Sequence, residues 1–212
     1  MAVLRDDIRQ RDATLVPGGT GPPREIPSGI FVAAANAYQA GQRLDMKSLA
    51  RQLGIGRATL YRRAGNREQL LDEVIWWRAR QMLAGQLLAT AGLSGADRVA
   101  AVVRGTLGAI ERDAPLHSFL DTDPETALRI LTGTRSVAAR GMTRVLESLI
   151  DTERASGAFR PELDTGTLAF AIMRIGEGFL YADVIADRPP DAGRAVTVIR
   201  ALLTGLDRSA AG

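Results

Sequence analysis

Residues 44–71 read LDMKSLARQLGIGRATLYRRAGNREQLL, and their pattern decides the fold. Asp45 is a natural N-cap. Met46, Leu49, Ala50 and Leu53 follow it at helical spacing and make one apolar stripe. Gly54 stands just past the stripe, where a helix end calls for positive φ. Ile55 then plugs the angle before a second helix, expected over Gly56–Arg63 with Leu60 facing inward. Arg57, Thr59, Tyr61, Arg62 and Arg63 occupy its outward side. Two short helices joined this way form a helix-turn-helix, whose second helix enters the DNA major groove.

The chemistry of that face agrees. Arg makes bidentate contacts to guanine, and Thr meets bases or a thymine methyl. Tyr hydroxyls and helix-start N–H groups hold phosphates. No acid interrupts Lys47 to Asn66, a run that holds Lys47, Arg51, Arg57, Arg62 and Arg63. An unbroken row of positive charge is what a phosphate track requires. The competing reading is a solvated, Arg-rich helix pair, but that does not explain why cap, stripe, Gly turn and basic face coincide.

Composition sharpens the picture. The 212-residue chain has a formal net charge of only +3. Between Arg43 and Arg80, however, nine Lys or Arg face four Asp or Glu, so positive charge is concentrated in one segment. Cys is absent and His occurs once, which excludes a disulfide framework, a thiolate zinc site and a multi-histidine metal site. No apolar run reaches the length of a membrane span and no signal segment opens the chain, so a cytoplasmic location and no membrane partner are expected.

Outward from the central stretch, residues 1–27 include LVPGGTGPPREIP, dense in Pro and Gly, and read as a flexible arm. Its Arg5, Arg9, Arg11 and Arg24 could reach a minor groove, although a tail without contacts is the simpler reading. A first helix is expected over Ser28–Ala40, capped by Ser28 and stopped by Gly41, with Ile30, Ala34, Ala37 and Tyr38 bracing the helix-turn-helix. Asn66 and Gln69 have the spacing of a capping box. They open a long helix over Arg67–Ala89, with Leu70, Leu71, Val74, Ile75 and Met82 inward. Adjacent Trp76 and Trp77 point roughly 100° apart. One suits a domain junction, and the other could instead floor a cavity.

Beyond Thr90–Ala96 every strong pattern is helical. Helices are expected over Asp97–Arg112, Glu125–Leu131, Ser136–Ala155, Thr165–Ala186 and Ala192–Gly205, with a short piece, Leu116–Leu120, bracketed by Pro115 and Pro124. The fold class is all-α: an N-terminal three-helix helix-turn-helix domain over 28–72 and a C-terminal helical domain over 73–212. Leu168, Ile172, Ile175, Phe179 and Leu180 leave little polar surface on the first of the last two helices. Val196, Ile199, Leu202, Leu203 and Leu206 stripe the second. One small bundle cannot bury both, so a homodimer through these helices is expected.

Ile30, Ala34, Gly41, Leu49–Ala50, Leu53–Gly54–Ile55, Thr59–Leu60–Tyr61 and Arg67–Glu68–Gln69–Leu70–Leu71 together resemble the DNA-binding domain of the TetR family of bacterial repressors. Three positions depart from it: Gly56 replaces the usual Ser, Ala64 a common aromatic, and Arg67 the usual Lys. The set implied to touch DNA is Lys47, Gly56, Arg57, Ala58, Thr59, Tyr61, Arg62, Arg63 and Arg67. Gly157–Ala158–Phe159–Arg160–Pro161 and the stretch from Arg174 to Ile185 are similar to the QsdR-type branch of that family. That branch is associated with lactone-degrading genes, which implies a lactone effector. The resemblance also implies a palindromic operator, dimerisation through the last two helices, and an effector pocket inside the second domain.

Arg174, Glu177 and Tyr181 share one face of an apolar helix, and convergent polar groups in an apolar cavity orient a ligand. The candidate effector-contacting set is Trp77, Leu107, Phe119, Met142, Arg174, Glu177, Gly178 and Tyr181. An internal Arg174–Glu177 pair, or polar contacts across a dimer, would explain the same face. His117 reads as structural. The isolated Gly54–Ile55–Gly56 and Gly176–Glu177–Gly178 do not follow strands, so no dinucleotide site is expected. No cofactor, metal or catalytic residue is expected. Together with the residues, the resemblance implies an all-α C-terminal ligand-binding and dimerisation domain and a ligand-responsive repressor that binds double-stranded operator DNA and a small-molecule effector. The alternatives are a helical small-molecule-binding enzyme and an architectural DNA binder without effector control.

Overall fold

The computed structural model describes residues 26–182 and 188–207. The chain builds α1 (Ser28–Gln39), α2 (Met46–Gln52), α3 (Arg57–Ala64), α4 (Arg67–Ala89) and α5 (Gly95–Glu111). It continues with α6 (Ala114–Thr122), α7 (Pro124–Thr132), α8 (Val137–Ala155), α9 (Thr165–Leu180) and α10 (Ala192–Leu206). The described residues contain no strand, only an isolated bridge between Pro161 and Asp207. The all-α expectation therefore holds. Among the described residues no helix is long and apolar enough to cross a membrane. The arm expected over 1–27 lies outside the described residues except for Ile26 and Pro27. The helix expected over Thr165–Ala186 instead ends at Leu180, where Tyr181 takes the C-cap and its N–H donates to the Glu177 carbonyl.

Two compact units form. The first holds residues 26–80 and 113–141, and the second holds 81–112, 142–182 and 188–207. In the first unit, α1 buries Ile30, Phe31, Ala34 and Tyr38. Ser28 begins α1 as a helical residue rather than capping it, and Pro27 occupies the cap with no side-chain hydrogen bond. Phe31 meets Trp77 edge-on at 5.6 Å, and Tyr38 meets Phe119 edge-on at 6.1 Å. Such pairs contribute about 0.5–1.5 kcal/mol beyond the area they bury. The Arg78 guanidinium lies over Tyr38 and pairs with Asp113 at 2.6 Å. Leu70, Leu71, Val74 and Ile75 of α4 are buried as their spacing predicts.

The start of α8 is tied to α4 by one carboxylate. Asp72 accepts hydrogen bonds from Ser136 Oγ (2.8 Å), Val137 N (2.7 Å) and Ala138 N (2.9 Å). Ser136 Oγ accepts from Ala139 N at 3.0 Å, and Arg140 N donates to the Ser136 carbonyl. All of the donors that a helix start leaves orphaned are thereby satisfied.

The second unit packs α10 against α5 and α9. Leu149, Phe159, Leu168, Ile199 and Leu203 are almost wholly removed from solvent. Glu153, itself buried, accepts from Gly95 N at 2.7 Å and from Arg98 Nη1 at 2.9 Å. A buried charge costs free energy unless paired, and this one is paired twice over. Asp164 caps α9 by accepting from Thr167 N, and Asp191 caps α10 by accepting from Arg194 N. The Glu111 carboxylate accepts from Ala192 N at 2.9 Å and so joins α5 to the start of α10.

Candidate nucleic-acid interface

The interface is assembled from local chemistry. Asp45 accepts from Ser48 N at 2.7 Å and starts α2. That backbone hydrogen bond holds the Asp45 carboxyl below the usual carboxylate range. Met46, Leu49 and Ala50 turn inward. At the other end Ile55 N donates to the Ala50 carbonyl and Gly54 N to that of Arg51, the paired bonds of a Schellman motif. Gly54 has φ +64°, and a Cβ placed there would meet nothing within 4 Å. The turn therefore needs glycine for backbone conformation rather than for space.

Gly56 then caps α3 in extended conformation without a side-chain hydrogen bond. Leu60 and Ala64 are buried, which leaves Arg57, Ala58, Tyr61, Arg62 and Arg63 exposed and Thr59 half-buried. Lys47 is exposed on α2. Tyr61, at 48% exposure, is a large aromatic left uncovered on the same helix as three exposed arginines. Gly65 ends the helix at φ +71°, and the Asn66–Gln69 capping box forms as its spacing predicts. Asn66 N donates to Gln69 Oε1 at 2.9 Å, and Gln69 N donates to Asn66 Oδ1 at 2.8 Å.

Arg67 is placed differently from its neighbours. Its Nε donates to the Leu44 carbonyl at 2.8 Å, and its Nη1 meets Asp123 at 2.6 Å. Burial pushes the Asp123 carboxyl up, but hydrogen bonds from Thr126 and Arg67 outweigh it and hold the group low. Much of the Arg67 fork is thus used to join the α1–α2 loop to the α6–α7 junction. The sequence offered no sign of that, because Asp123 lies 56 residues away.

The effector-contacting candidates divide between the units. Trp77 and Phe119 pack in the first unit, against Phe31 and Tyr38. Leu107, Met142, Arg174, Glu177, Gly178 and Tyr181 belong to the second. There Leu107 lies beside Gly176, where an added Cβ would come within 3.1 Å of it. Arg174 Nη2 pairs with Glu177 Oε1 at 2.6 Å, and its guanidinium also lies over Phe170. The internal pair read as an alternative from the sequence is therefore made. Glu177 is only 8% exposed, and burial raises its carboxyl to about 7 against the opposing pull of Arg174. Tyr181 is buried and its hydroxyl is pushed well above the ordinary range, first by burial and then by the nearby Glu177. Gly178 is exposed and Met142 half-buried. His117 is half-buried on α6.

The model of the tetracyclin repressor-like C-terminal domain matches residues 94–204, just over half of the chain. The chain belongs to this family, the TetR family, whose members are transcription regulators rather than enzymes. Among solved structures it is similar to the transcriptional repressor QsdR of R. erythropolis, with 25% sequence identity and a TM-score of 0.75. The likeness covers 84% of this chain and 94% of that one. No curated protein sequence matches.

Proposed function

We propose that the chain is a homodimeric, ligand-responsive repressor that reads a palindromic operator through α3. Residues 28–72 form the DNA-binding domain in this reading, and 73–212 form the effector-binding and dimerisation domain. The observation that carries it is the α2–α3 pair: a Schellman turn sets the second helix, whose exposed face is Arg57, Ala58, Tyr61, Arg62 and Arg63 with no acid among them. Arg57 and Thr59 read base edges, while Lys47, Tyr61, Arg62, Arg63 and the backbone N–H groups at Gly56 and Ala58 hold phosphates. Arg67 supports the arrangement from behind, and any phosphate contact it makes uses the part of its fork that Leu44 and Asp123 leave open.

Two α3 helices presented by a dimer meet successive major grooves roughly 34 Å apart. The effector is a small apolar molecule bound in the second domain. A lactone is the first class to try, given the resemblance to QsdR-type regulators. Effector binding favours an arrangement of the two recognition helices that mismatches the operator, so effector and DNA weaken each other's binding equally. The site of action is the cytoplasm.

Fluorescence anisotropy with duplexes tiled across DNA flanking the protein's own gene tests the proposal. One fragment should bind far more tightly than its scrambled counterpart, and a long-chain lactone should release it. Specific binding without lactone response would discard only the effector class. Equal binding of all duplexes, collapsing as salt rises, would leave an architectural binder and overturn the proposal.

A further inference from the structure

A groove of about 490 Å³ lies in the first unit and is lined by Arg62, Arg63, Arg135 and Arg140 together with Asp72 and Glu73. Arg62 and Arg63 close the last turn of α3. Arg135 stands in the loop before α8 and Arg140 in its first turns, some 70 residues further along the chain. All four side chains are exposed, and no ion pair links any of them to a carboxylate among the described residues.

The two acids of the groove offset only part of this charge, and neither forms an ion pair with these four arginines. Asp72 accepts from three donors at the start of α8, so its oxygens are already occupied. Glu73 is drawn to Arg80. Four cations around one groove outnumber its two acids, and the repulsion between them is relieved when an anion joins them. The Asp72 clamp also fixes the start of α8, beside which Arg135 and Arg140 stand: it joins Asp72, in the second turn of α4, to Ser136, Val137 and Ala138. The two distant arginines are thus held in the same compact unit as α3.

We propose that Arg135 and Arg140 extend the DNA-contacting surface beyond the helix-turn-helix and hold backbone phosphates flanking the bases that α3 reads. This rests on the proposed role of α3. DNA is favoured over a small anion because the groove is open, its arginines are all exposed, and two of them belong to the recognition helix itself. Guanidinium forks suit phosphate oxygens. Contacts of this kind strengthen binding without selecting sequence.

The test is the salt dependence of duplex binding by the full-length chain. Each phosphate contact contributes about 0.9 to the slope of log affinity against log salt. The double variant Arg135→Gln/Arg140→Gln should lower that slope by about 1–2. It should weaken the preferred and the scrambled duplex by the same factor, so their ratio stays constant. Arg104→Gln/Arg144→Gln removes the same charge from exposed positions of the second unit and should leave the slope as in the wild type. An unchanged slope in the groove variant, or an equal drop in both variants, would overturn the inference. Retained DNA binding in the groove variant with loss of inorganic pyrophosphate binding by calorimetry would overturn it too, and would make the groove a small-anion site. The underlying reading fails differently: the wild type itself would then show no preference among duplexes.

Discussion

At the scale of single residues, α3 divides its labour. Leu60 and Ala64 are spent on packing, which leaves Arg57 and Tyr61 free to act outward. Arg57→Ala should relax base preference by about 1–3 kcal/mol while leaving the thermal transition almost unmoved, because the side chain is exposed. Tyr61→Phe should weaken all duplexes alike, since a phenol on phosphate carries no sequence information. Competition anisotropy against scrambled DNA separates the two outcomes. Glu177 makes a different prediction. Its carboxyl lies near 7 in the folded chain and near 4.5 when unfolded. Between those values the folded chain holds a proton that the unfolded chain has released, so stability falls as pH rises through the window. Urea midpoints should drop from pH 5 to pH 8 in the wild type. Glu177→Gln should flatten that drop and stabilise the chain at pH 8 by roughly 1–3 kcal/mol. An identical drop in the variant would move the titration elsewhere.

At the scale of elements, caps and turns decide which segments meet. Gly54→Ala places a Cβ in open space but in left-handed backbone. It should cost about 1–2 kcal/mol from conformation alone and lower the melting temperature without reshaping the turn. Gly141→Ala belongs to another mechanism. Its new Cβ would lie 2.6 Å from three carbons of the Trp76 ring, which is itself buried beneath the Arg80 guanidinium. Overpacking of that kind costs typically 1–3 kcal/mol, and near-ultraviolet circular dichroism should report the displaced indole. Asp45, Asn66 with Gln69, and Gly54 were legible beforehand, because they act across three or four residues, a spacing that sequence displays directly, whereas Ser28 was displaced from the cap by Pro27. The Asp72 clamp was not legible. Its partners lie at least 64 residues away, and nothing local marks an aspartate in mid-helix as the cap of another helix.

At the scale of the whole molecule, the proposed dimer makes its own demand. Phe170 on α9 is 59% exposed and Val198 on α10 is 44% exposed in the single chain. Large apolar side chains left open on the two helices expected to pair are consistent with a covered face. Phe170→Glu/Val198→Glu should shift the protein from dimer to monomer in sedimentation equilibrium. Operator affinity should fall with it, because a single α3 reaches one half-site. A double variant that remains dimeric would place the interface elsewhere.

The sequence by itself determined the all-helical class, the cap and turn of the helix-turn-helix, and the family. Each of these rests on short-range periodicity or on a run of residue types that survives any tertiary arrangement. Only the tertiary structure decided what distant side chains do. It turned part of Arg67 inward to Leu44 and Asp123, placed Trp77 and Phe119 against Phe31 and Tyr38, closed the Arg174–Glu177 pair, and brought Arg135 and Arg140 beside Arg62 and Arg63. Helical spacing specifies which face of a helix is buried, but not which partner buries it, because that choice depends on how whole helices pack.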